Sequence, residues 1–144
     1  MVKCLGIFRE VQNSPNRESD DALILKAVME QLQLQRVEVD LLEPEAADNV
    51  DLSQWDMVIP MCETYPRLMR LRAMAAPDGP IIINPAQSVL NCYRTRMIPL
   101  FEKTPGLLFP DTEIRRTESA LRFPLPAFAV SGAWLKRGDV HNTC

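Results

Sequence analysis

Apolar and polar positions along the chain follow two rhythms. Val2 to Phe8 is a short apolar run closed by Arg9 and Glu10, and it predicts a buried strand. A polar segment, Arg9–Arg17, follows and contains the turn formers Asn13-Ser14-Pro15-Asn16. Ser19-Asp20-Asp21 then opens a helix. Ser19 suits the N-cap, and the two aspartates fall where the helix dipole favours negative charge. Leu23, Ala27, Val28 and Leu32 recur at helical spacing, which predicts one face packed on a sheet. Arg36 to Leu42 alternates polar with apolar residues and reads as the second strand. After a polar loop to Gln54, Asp56–Met61 is a short apolar third strand, Thr64–Ala75 a second helix and Pro80–Ile83 a fourth strand.

Strands that alternate with helices imply an α/β fold: an open, mostly parallel sheet of about four strands with flanking helices, Rossmann-like in layout. Ligands collect at the carboxyl ends of such strands. Those ends are the Arg9–Arg17, Cys62–Pro66 and Asn84–Ser88 segments. Only Gly6, within the first strand, stands near the place of a G-x-G-x-x-G motif, which argues against a dinucleotide site.

Beyond Ile83 the pattern changes. Asn84 caps a short helix, with Pro85 at its first position. Asn91–Lys103 reads as a longer helix interrupted by Pro99 and ended by Thr104-Pro105-Gly106. Phe109-Pro110-Asp111-Thr112 leads into an extended Glu113-Ile114-Arg115. Arg122–Pro126 is a linker, and Phe128–Lys136 is a last apolar stretch. This gives three parts: an α/β domain over 1–90, a helix and linker over 91–126, and a strand within 127–144.

The chain has 144 residues, 47% hydrophobic and 24% charged, enough for one domain with a useful core. Its net charge is −3, which gives no general attraction to nucleic acid. Residues 1–93 carry a net −6 and residues 94–144 a net +3, so the second part suits an anion better. No apolar run reaches the roughly 18 residues of a membrane span. Cys4, Cys62, Cys92 and Cys144 are scattered and far from the lone His141, save Cys144 in the tail. That spacing does not suit zinc, and it fits a reduced, cytoplasmic protein. Arg67 and Arg70 share a helix face and could hold an acidic substrate, although a solvated face is the stronger expectation.

Four pieces in order resemble the ATP-grasp ligases. They are Ile83-Asn84-Pro85-Ala86-Gln87-Ser88, then Asn91-Cys92-Tyr93-Arg94-Thr95-Arg96 with Leu100-Phe101, then Gly106-Leu107-Leu108-Phe109-Pro110-Asp111-Thr112, and last Pro126 through Trp134-Leu135-Lys136-Arg137-Gly138-Asp139. The resemblance implies a pre-ATP-grasp domain followed by the start of the nucleotide-clamping subdomain. It implies that Arg94, or Arg96 in its place, and Lys136 contact ATP phosphates. It further implies that Glu10, Asn13, Ser14, Asn16 and Arg17 face a carboxylate substrate.

In the complete enzyme ATP and magnesium would activate a small-molecule carboxylate for attack by an amine. This chain lacks the family's magnesium-binding residues, so it is expected to bind neither tightly and to be inactive alone. No nucleic-acid or membrane partner is implied; a homodimer is possible. The alternative is a non-catalytic binding or scaffold module of the same fold. A receiver-like signalling domain fits poorly, because Pro60-Met61-Cys62-Glu63 puts no aspartate at the end of the third strand.

Overall fold

The computed structural model describes residues 1–13, 18–75, 77–116, 118, 124–136 and 138. It divides into two compact units, Met1–Leu90 and Asn91–Cys144. In the first, β1 (Lys3–Ile7), β2 (Glu38–Leu42), β3 (Met57–Pro60) and β4 (Ile81–Ile82) form one sheet in the order β2-β1-β3-β4. All three pairings are parallel. Leu5 lies level with Asp40 on one side and Val58 on the other. The fold is therefore the open parallel α/β sheet that the alternation of elements predicts.

Side chains of a strand point alternately to the two faces of the sheet. On one face Cys4 packs with Leu25 and Met29 of α1 (Glu18–Leu34), and Phe8, Leu32, Val39, Met57 and Ile59 surround them. Leu5, Ile7 and Val58 are buried on the other face, the side of α2 (Pro44–Ala47) and α3 (Tyr65–Met74). Right-handed crossovers require this split. The step from β1 to β2 runs one way along the sheet, and the steps from β2 to β3 and from β3 to β4 run the other way.

Gly6, in the middle of β1, makes the close approach of α1 possible. A Cβ there would lie 2.5 Å from the Met29 methyl and 2.8 Å from Leu41 Cδ2. The chain thus places its smallest residue where a helix and a neighbouring strand both press on the central strand.

Several boundaries differ from the sequence pattern. α1 begins at Glu18, so Ser19 lies inside the first turn and is not its N-cap. The buried face of α1 is Leu25 and Met29, whereas Leu23 and Val28 are 63% and 41% exposed. The helix carries apolar residues on opposite sides, and periodicity alone does not say which side meets the sheet. The loop expected up to Gln54 holds α2 and a 3-10 turn, Leu52–Gln54. The short helix expected after Asn84 is α4 (Ala86–Asn91), and the one expected over 91–103 is α5 (Arg94–Glu102), which starts three residues later and carries Pro99 inside.

In the second unit Gly106, at φ 78°, turns the chain after α5, and Phe109 folds back to 5.7 Å from Phe101 between ring centres. Residues 124–136 form no strand, because nothing described pairs with their backbone in a ladder. Among the described residues no helix is long and apolar enough to cross a membrane.

The contact at Gly6 makes a specific demand on packing. Gly6→Val should cost about 1–3 kcal/mol, the usual range for an overpacked core, whereas Gly106→Ala should act through its positive φ alone. Urea unfolding of both variants checks this, and a Gly6→Val midpoint equal to the parent's would refute the packing account.

Candidate functional site

Sheet topology alone singles out one place. From β1 the chain goes to β2 on one side, while β3 lies on the other, so the carboxyl ends of β1 and β3 mark the switch point of the sheet, where ligands gather in such folds. Two consecutive charged residues, Arg9 and Glu10, leave β1 at this point, and Glu63 and Thr64 leave β3.

Glu10 is 3% exposed, the sole buried charged residue of the described core. Burying a carboxylate is costly unless donors surround it. Here Oε1 accepts from the Thr64 amide at 3.3 Å, the Thr64 hydroxyl at 2.8 Å and Arg67 Nη1 at 2.9 Å. Oε2 accepts from the Glu63 amide at 2.9 Å and Asn13 Nδ2 at 3.3 Å. Burial pushes the Glu10 carboxyl up, but the Glu63 amide, Arg67 and Thr64 together outweigh it and hold it below the usual carboxylate value. An ionised carboxylate offers about four lone-pair sites, so these protein donors occupy it fully. Its chemical part is to position Thr64 and Arg67 rather than to take a proton from a ligand.

Arg67 links this carboxylate to the next loop. Its Nε reaches both Asp48 oxygens at 3.1 and 3.0 Å, and its Nη2 reaches Asp48 and Glu45, each at 2.9 Å. Asp48 above all, with Glu10 and Glu45, holds the guanidinium charged against a burial that opposes it. Arg70 donates to the Ala47 and Val50 carbonyls. The two arginines on one face of α3 are thus neither a solvated face nor an open anion site: they fasten α3 to the segment after β2. Arg9 does the same on the other side, bridging Glu63 at 2.7 Å and Asp21 of α1 at 3.5 Å. Its Nε is buried with no partner.

Cys62 lies beneath this network. Burial first, then the Glu10 charge, pushes its thiol up to about 12, so it stays protonated and unreactive near neutral pH. Outside the network an open groove of about 470 Å³ is lined by Asp48, Thr64, Pro66, Arg67 and Arg70. Among the described residues no group of three or more His, Cys, Asp or Glu could hold a metal ion.

Of the residues read from the sequence as facing a substrate, the structure brings Glu10 and Asn13 together, by the side-chain bond and by the Asn13 amide to the Glu10 carbonyl at 2.9 Å. Ser14, Asn16 and Arg17 lie outside the described residues. Sequence reasoning missed the link from Glu10 to Arg67, which spans 57 positions. The one signal was a carboxylate immediately after a buried strand.

The two residues expected from the sequence to contact phosphate, Arg94 and Lys136, belong to the second unit. Arg94 is the first residue of α5, after Tyr93. The Thr95 amide, one of the unpaired donors of that helix end, donates to the Gly138 carbonyl at 3.2 Å. Gly138 sits so close that a Cβ on it would lie 2.6 Å from Thr95 Cγ2. The segment bearing Lys136 therefore reaches the same end of α5 as Arg94.

The Glu10 network fixes the sign of a pH effect. A carboxyl depressed in the folded state adds stability above its unfolded value of about 4.3, and that stability is lost as pH falls through the lower folded value. Below pH 4.5 the parent should therefore lose stability faster than Glu10→Gln. At pH 7 Glu10→Gln should be less stable by roughly 1–3 kcal/mol, because donors are left facing an amide. Chemical unfolding between pH 3 and 7 reads both effects; parallel pH profiles would disprove the ionised network.

Comparison with protein-family models, with curated proteins and with solved structures finds no match.

Proposed function

We propose that this chain is the N-terminal portion of an ATP-dependent carboxylate–amine ligase of the ATP-grasp kind. The observation that carries this reading is the seating of Gly138 on the first turn of α5, which draws the Lys136 segment toward Arg94. An arginine at the amino end of a helix, with a lysine two residues from the contact there, suits a polyphosphate, because charge-assisted bonds and the helix dipole act in the same direction. The parallel sheet with its switch point between β1 and β3 supports it as well, since such folds take ligands at that end of the sheet.

In this reading Arg94 and Lys136 hold ATP phosphates, with Arg96 as the alternative to Arg94. The loop that starts at Glu10 and Asn13 and runs on through Ser14, Asn16 and Arg17 faces the carboxylate substrate. Glu10 and Arg9 keep the base of that loop tied to Glu63 and Thr64. Magnesium, which neutralises the phosphates when bound, depends on carboxylates outside this chain, so the chain does not turn over ATP by itself. The free thiols Cys4, Cys62 and Cys92 agree with a reducing cytoplasm.

A second reading rests on the occupancy of Glu10. A carboxylate held wholly by protein donors is what a non-catalytic scaffold of this fold also requires.

ATP kinetics in a complete polypeptide containing this chain separate the two. Arg94→Ala and Lys136→Ala should each raise the KM for ATP roughly tenfold, the loss of one charge-assisted bond. Carboxylate- and amine-dependent ADP release should fall with them. Unchanged KM in both variants removes the ligase assignment, and absence of any ATP turnover by the complete polypeptide selects the scaffold.

A further inference from the structure

We draw no further inference here: the strongest candidate, the open groove of about 470 Å³ beside the amino end of α3, belongs to the site already described, its two arginines, Arg67 and Arg70, being held by Glu10, Glu45, Asp48 and the Ala47 and Val50 carbonyls.

Discussion

The first unit depends on one negative charge placed where two loops part. Glu10 lies three residues past the end of the central strand, at the switch point of the parallel sheet. Its five donors come from the turn after β1, from Glu63 and Thr64 in the loop after β3, and from α3. An isolated buried carboxylate would break the fold, so the charge forces these pieces to converge. Arg67 then passes the constraint to Asp48 and Glu45, and Arg9 passes it to α1 through Asp21. The carboxyl edge of the sheet is rigid because every one of these links is charge-assisted.

The sheet was legible because its cause is local. Short apolar runs bounded by charge or proline can only be buried strands, and helices between them require parallel pairing. The strand ends were likewise readable, and the Glu10 network lies there. The face of α1 was not. Leu23, Ala27, Val28 and Leu32 satisfy helical periodicity as well as Ala22, Leu25, Met29 and Leu32 do, and Gly6 decides between them by leaving a depression that Met29 and Leu25 fill. The role of Arg67 was hidden for a different reason. Its spacing from Arg70 is a helix-face signal, but its partners lie 19, 22 and 57 positions away, and only the folded sheet brings them near.

The second unit follows another logic. It has one helix of nine residues and no strand among the described residues, and its order comes from local ties. Phe101 meets Phe109, Arg115 bridges Glu113 and the Pro124 carbonyl, and Gly138 covers the start of α5. The return of the chain to the start of α5 was not legible, because a single backbone hydrogen bond leaves no pattern in composition or periodicity. The excess of positive charge after residue 93 suits an anion at that end.

The central position of β1 has a consequence for synthesis. The strand at the middle of the sheet is the first one the ribosome makes, and its second neighbour ends only at Pro60. At about 5–20 residues per second, roughly 3–10 s pass before both edges of Lys3–Ile7 are covered. During that interval the apolar strand has two open sides, and every contact that will protect it is distant in sequence. Folding of this unit therefore waits on translation, and early termination before β3 would release a segment primed to pair with other chains.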